Sequence, residues 1–365
     1  GIMYQQQGGF INASNNFSLA KIIIENLQLT NSEFYIKIIN NEGLCLLSSE
    51  KYQEASILFD SALEKEAMLN GDRTELYANI LGNQAMVYQK SGFNKEAKLY
   101  HGLSLQILSD LFGDNSLSYN QSIVNYAIFL RDISDYDNAY LTVIPAHKKL
   151  VEILGEEHQY MANVNLLLGE IYNFFGDYNK SMEYYNKAEK IFIEKIPMDV
   201  PGYGFAKLGQ GMNFMQLHNY NKAEELYDIA LKHIKATSGD TSIEYGKSII
   251  NKALLHMLKK EYVKADDTYL TALEIIENKL GRNHMLFATL SNRIAQLMMM
   301  QDSLLEFEDL IENAIIVYEN NNEKDNFNYY NSLFFKAHIL FKKKKYKESL
   351  DLFLIVRNGY EKTIG

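Results

Sequence analysis

The chain has 365 residues, 47% of them apolar and 22% charged, the balance of a folded globular protein and not of a disordered one. Its net charge of −10 and pI near 5.4 argue against nucleic acid or an anionic membrane surface as partner, because such a field repels phosphate. A single cysteine, Cys45, excludes an intrachain disulfide framework and fits a reducing, cytoplasmic compartment, with export left open; no run approaches the roughly 18 apolar residues of a membrane span.

A repeat of 42 residues is present from the first residues onward. Residues 1–29 read as part of a unit, with Gly1 followed by Tyr4, Phe10, Ala13, Phe17 and Ala20. Full units then follow at 30–71, 72–113, 114–155, 156–197, 198–239, 240–281, 282–323 and 324–365. Their small residue recurs as Gly43, Ala85, Ala127, Gly169, Gly211, Ala253, Ala295 and Ala337, and three places on stands an apolar residue at every step except His256. A second pattern opens with Tyr52, Asn94, Tyr136, Tyr178, Tyr220, Tyr262, Leu304 and Tyr346. Behind it run a small column from Ala55 to Ser349, a ring-rich column and another small column from Ala62 to Val356. The ring-rich column reads Phe59, His101, Val143, Tyr185, Tyr227, Tyr269, Ile311 and Phe353.

Spacings of three, four and seven place these residues on one face of a helix, so each unit predicts two helices. Small residues let the two backbones approach, and the ring fills the neighbouring hole. Joints fall at Gly71, Gly113, Gly155, Pro197, Gly239, Gly281, Glu323 and Gly365, with Asp72, Asp114 and Asp240 expected to start the next helices. Two units depart from the pattern. In 72–113, Phe93 and Tyr100 sit one place early and predict a local change of register; in 282–323, Leu304 and Phe307 predict a helix pair that packs differently. Because Gly1 and Gly365 occupy a packing position and a joint, the chain is expected to be a fragment of a longer protein.

The pattern small-x-x-Tyr…Tyr-x-x-Ala-x3-aromatic-x2-Ala resembles the tetratricopeptide repeat. Joints such as Leu154-Gly155-Glu156-Glu157-His158 and Leu280-Gly281-Arg282-Asn283-His284 are similar to those of kinesin light chains and of bacterial repeat proteins that carry a caspase-like CHAT protease domain. The resemblance implies an all-α, right-handed superhelical solenoid of antiparallel helix pairs, about eight full repeats after a partial one, with first helices lining a concave groove.

The same resemblance marks which positions face inward. One such column reads Asn41, Asn83, Asn125, Leu167, Gly209, Asn251, Arg293 and Phe335. An asparagine amide both donates and accepts, which suits an extended peptide backbone, although asparagine also sits harmlessly on wet surfaces. Farther along, Met212, Met215, Met257, Met299 and Phe334 suggest an adaptable apolar wall, or else packing between adjacent first helices. Basic residues on these positions are Lys37, Lys90, Arg131, Lys247, Arg293 and Lys342, against Asp132 and Glu170, so a neutral or acidic partner segment is expected. The protein's own downstream domain is another candidate occupant.

Chemistry is sparse. Gly202-Tyr203-Gly204…Gly209-Gln210-Gly211 has no preceding strand and reads as packing glycine, not as a phosphate loop. The eight histidines are scattered, which predicts structural roles and no metal or cofactor; His256 and His338 are the candidates an enzyme would have to use. The expectation is a non-enzymatic, regulatory scaffold for a protein or peptide. Two alternatives remain, the repeat region of a CHAT protease and a peptide-pheromone sensor.

Overall fold

A helix leaves its first amide groups without partners, and the structure, a computed structural model, answers that need at regular intervals. It describes residues 10–196, 200–321, 323–324 and 326–364; Gly1, Tyr4, Pro197, Gly365 and the side chain of Phe10 lie outside them. Ser32, Thr74, Ser116 and Ser242 each accept from the amide three residues on. His284 and Asn326 accept from the amide two residues on. All six stand at multiples of the 42-residue period from one another. Asp72, Asp114 and Asp240, expected in this role, stand two places too early; the shorter hydroxyl reaches the amide from the residue that adjoins the helix.

The helices follow in order as α1 (Phe10–Asn26), α2 (Glu33–Ser48), α3 (Tyr52–Asn70), α4 (Glu75–Lys90), α5 (Asn94–Phe112) and α6 (Leu117–Asp132). Next come α7 (Tyr136–Leu154), α8 (Met161–Phe174), α9 (Tyr178–Lys195), α10 (Gly202–Gln216), α11 (Tyr220–Ser238) and α12 (Ile243–Leu258). The last are α13 (Tyr262–Leu280), α14 (Met285–Met300), α15 (Glu308–Asn320), α16 (Phe327–Lys342) and α17 (Tyr346–Ile364). Among the described residues there is no strand.

The described residues form two compact units. The first runs to Leu217 and includes Asp228–Thr237; the second holds His218–Tyr227 and continues from Ser238. In the first unit each helix from α1 to α10 packs on the next, and so does each from α12 to α17 in the second. First helices also touch one another, α2 with α4, α4 with α6, α6 with α8 and α8 with α10 in the first unit, α14 with α16 in the second. Each unit is thus an α-solenoid of helix pairs, with first helices α2 to α10 in one layer in the first unit and α14 beside α16 in the second.

The small-and-ring comb forms the core. Ala85, Ala127, Ala253, Ala295 and Ala337 are buried, as are the alanines opposite them. An added Cβ on Gly43 would lie 2.7 Å from the ring of Phe59, and one on Gly169 would lie 2.7 Å from that of Tyr185, so the ring occupies the space a side chain would take. At His101 the expected change of register does not occur. Asn94 starts α5 in step with its equivalents, Ala97, His101 and Ser104 are buried in their columns, and Phe93 is pushed out to solvent. The imidazole takes the ring's place because it is flat and can be neutral. At Leu304 a single 3-10 turn (Leu304–Phe307) replaces the start of the helix, leaving α15 only 13 residues long, and within it Ile311 and Ala314 rejoin the core.

Within each pair the turn has a fixed chemistry. The amide three places past the helix end bonds back to the carbonyl five residues earlier, as in Lys51 to Leu46, Asp135 to Leu130, Glu261 to His256 and Lys345 to Leu340. This requires a left-handed residue between them, and glycine supplies it at Gly92 and Gly176, but Glu50, Ser134, His218, Lys260, Asp302 and Lys344 adopt it with φ between 59° and 65°. A residue with a Cβ is strained there. Ser134→Gly and Lys260→Gly are each expected to stabilise the protein by about 0.5–1 kcal/mol in urea denaturation.

Candidate functional site

The inner column of asparagines is only partly available. Asn41, Asn83, Asn125 and Asn251 are all half-buried. Asn83 already spends a donor, its Nδ2 bonding Asn40 Oδ1 at 2.8 Å. Beyond Asn125 the column closes within the first unit, because Leu167 is buried and the Tyr185 ring lies against Gly209.

The basic excess read from the same face is largely cancelled by neighbouring acids. Lys37 pairs with Glu33 at 2.5 Å, and Lys342 with Asp302. Arg131 is held between Asp132 and Glu170. Burial opposes its charge, yet the two carboxylates outweigh burial and hold its pKa above the ordinary arginine value. Lys90 and Lys247 each interact with a neighbour. Glu33 and Asp302 lie outside the inward positions, so a count confined to those positions could not see them. In the first unit Lys37 lines an open cleft of about 500 Å³ with Glu33, Glu66 and Glu75, a surroundings more acidic than basic.

The methionine wall also divides. Met215 and Met257 are buried at 4% and 6% exposure and pack inside the helix stack, while Met212 is half-buried. The burial follows from position, since both lie on the side of the first helix that meets its neighbours.

Four predicted residues, Arg293, Met299, Phe334 and Phe335, do converge. In the second unit α14 and α16 pack on one another, and between them, lined also by Tyr360 of α17, lies a cleft of about 350 Å³. Arg293 and Gln296 come from α14, and Asn328 and Asn331 from α16. Met299, Phe327, Phe334 and Phe335 supply the apolar wall. Arg293 is exposed and, among the described residues, has no ion-pair partner. The floor is braced: Asn292 Nδ2 donates to the Asn328 carbonyl at 2.8 Å, and its Oδ1 accepts from Ser332 Oγ at 2.8 Å. Tyr360 donates to Asn331 Oδ1 at 2.7 Å, which orients that amide and leaves its Nδ2 to donate elsewhere. Phe334 is fixed from behind by His338, with ring centroids 4.6 Å apart, and by Phe353 at 5.9 Å.

The histidines take up structural positions. His158 and His284 accept equivalent backbone amides at equivalent joints. Burial lowers the pKa of His338. His256 is buried with its Nδ1 2.7 Å from Glu261 Oε2. Folding brings Glu224, His256 and Glu261 together, with one potential ligand atom from each within 4.8 Å, a grouping that distance along the chain concealed. The Lys259 ammonium already bridges the two carboxylates, at 2.7 Å from Glu224 and 3.4 Å from Glu261. The His256 and Lys264 hydrogen bonds hold Glu261 down to about 2.

The tetratricopeptide repeat family matches residues 162–192, which span α8 and α9. The chain is folded as tetratricopeptide repeats. Three solved structures share that fold. The Rap conjugation gene regulator of plasmid pLS20, in complex with the Phr* peptide, aligns over 80% of this chain and 76% of its own, with 13% identity and a TM-score of 0.61. The apo form of RapI aligns over 80% and 99%, with 15% identity and a TM-score of 0.53. A Rap protein complexed with competence and sporulation factor aligns over 91% and 81%, with 18% identity and a TM-score of 0.51. Among curated proteins nothing matches. No described helix of this tetratricopeptide-repeat chain is long and apolar enough to cross a membrane.

Proposed function

We propose that this chain is a non-catalytic scaffold that holds a short segment of a partner protein or peptide against its first helices, with the cleft between α14 and α16 as the principal contact. The observation that carries the reading is the composition of that cleft: a guanidinium with no ion-pair partner among the described residues, several amides and an aromatic wall, braced from behind. Amides satisfy a peptide backbone, and the apolar wall takes a side chain. Preformed helices lose little freedom on binding.

A sensor of short signalling peptides is the specific form of this reading that the Rap neighbours favour, since the pLS20 regulator holds a peptide on the same fold. A cytoplasmic setting suits the single, buried Cys45. The test is selection of a phage-displayed random-peptide library on the full chain, followed by direct titration of enriched peptides. Phe334→Ala, with helicity checked by circular dichroism, is expected to weaken them about tenfold or more, the cost of losing an aromatic anchor. Failure to enrich any peptide, or unchanged affinity in a folded Phe334→Ala protein, would remove the scaffold reading.

A further inference from the structure

We infer that the cleft between α14 and α16 selects a carboxylate carried next to an aromatic or large apolar side chain, with Arg293 as the charge anchor and Phe334 in the wall of the side-chain pocket. This rests on the binding role proposed above and adds the chemical class of the ligand.

The argument starts from what the cleft lacks. Among the described residues its lining contains no carboxylate, and Arg293 is the single charged one. Elsewhere on the inner positions arginine and lysine are answered from nearby, Arg131 by two carboxylates, Lys37 by Glu33 and Lys342 by Asp302. At Arg293 no such answer is present among the described residues, and Gln296 on the same helix and Asn331 across the cleft add neutral hydrogen-bond donors to the guanidinium. The fork of a guanidinium matches both oxygens of a carboxylate, which a lysine would not.

The neighbouring wall sets what the carboxylate is attached to. Phe327 is 45% exposed, and Phe334 and Tyr360 are half-buried, so an aromatic edge stands beside the charge and is open to a ring or a leucine-sized group. Arg293 reaches from α14 and the rings from α16 and α17, so both requirements must be met by one ligand within a space of about 350 Å³. A carboxylate without an apolar neighbour leaves the rings wet, and an apolar group without a carboxylate leaves the guanidinium unpaired. Basic ligands are repelled.

The chain contains no tryptophan, which allows a direct probe. N-acetyltryptophan carries a carboxylate beside an indole, and N-acetyltryptophanamide is its neutral counterpart; the fluorescence of either, excited where tyrosine is dark, has no protein background. The acid is expected to bind the full chain with a Kd of about 1 mM or tighter, and the amide about tenfold more weakly. Arg293→Gln, a change at an exposed position, should bring the acid down to the level of the amide and leave the amide unchanged. Raising the salt should narrow the gap in the wild-type protein. Equal binding of acid and amide, or a preference for the acid that survives Arg293→Gln, would overturn the carboxylate anchor. So would binding of neither probe by a protein that still enriches library peptides, and in that case the scaffold reading stands. Loss of both probes and of all library peptides would overturn both.

Discussion

Tyr185→Ala is expected to destabilise the first unit by about 3–5 kcal/mol, the usual cost of emptying the site of a large aromatic ring in a packed core. Tyr185 is fully buried, and its ring is gripped from two sides. A Cβ placed on Gly169, in the partner helix of its own pair, would come within 2.7 Å of it, and one on Gly209, in the next first helix, within 2.2 Å. The ring thus joins α8, α9 and α10, and a repeat stack depends on such contacts between neighbours. Tyr185→Phe keeps the ring and should cost less than about 1 kcal/mol. Gly209→Ala tests the contact from the other side, since its new methyl has no room while the ring remains and should cost about 1–3 kcal/mol. In the double variant the methyl enters the vacated space, so the two losses should fall short of their sum. Urea denaturation gives the totals, and hydrogen exchange of α8, α9 and α10 amides locates them. Strict additivity, or a Tyr185→Ala loss below about 1 kcal/mol, would mean that the ring is not the joint described.

The stack was legible in the sequence because its determinants repeat. A buried alanine, a ring and another alanine at helical spacing recur unit after unit, and each copy strengthens the reading of the others. Capping was legible too, but was read from the wrong residues. Ser32, Thr74, Ser116 and Ser242 fall on the same period, and Asp72, Asp114 and Asp240 each stand two places before one of them. The left-handed turn positions went unseen, since six of the eight are not glycine and only the backbone reveals what they share. The binding face was legible only in part. Arg293, Met299, Phe334 and Phe335 stand out from position alone and meet in one cleft; Asn331 shares the inward position of Lys37 but carries no charge to mark it, Phe327 lies off the inward positions, and Tyr360 arrives from a second helix. Charge was the least legible property. Glu33 and Asp302 cancel lysines from places that an inward-facing count omits, and Glu170 turns Arg131 from a ligand-seeking group into half of an internal ion pair.

His101 should make the first unit acid-sensitive. Burial drives its pKa down from 6.5 to about 4, because the ring sits among Tyr126 and Phe129, with centroids 5.8 and 5.6 Å away, at 2% exposure. Above pH ~6.5 the imidazole is neutral in both folded and unfolded chains and costs nothing. As the pH falls below that value the unfolded chain takes up a proton that the folded chain refuses until about 4, so the unfolded state binds more protons throughout the interval and stability drops. Over the whole interval the loss comes to about 3 kcal/mol, at ~1.36 kcal/mol for each unit of pKa difference. His101→Phe places in the column the residue that Phe59 already provides one repeat earlier, and it has no proton to gain. The stability advantage of the variant over the parent should therefore grow by about 3 kcal/mol between pH 7 and pH 4. Carboxylates held low by partners, such as Glu261, lose their contribution at still lower pH, but they are common to both proteins and cancel in the difference. Guanidinium denaturation midpoints of the two proteins, measured in parallel across that range, decide the matter. A difference that stays constant with pH would show that His101 is protonated inside the fold at ordinary acidity, and a ring column able to hold a charged imidazole would not be the dry core the packing requires.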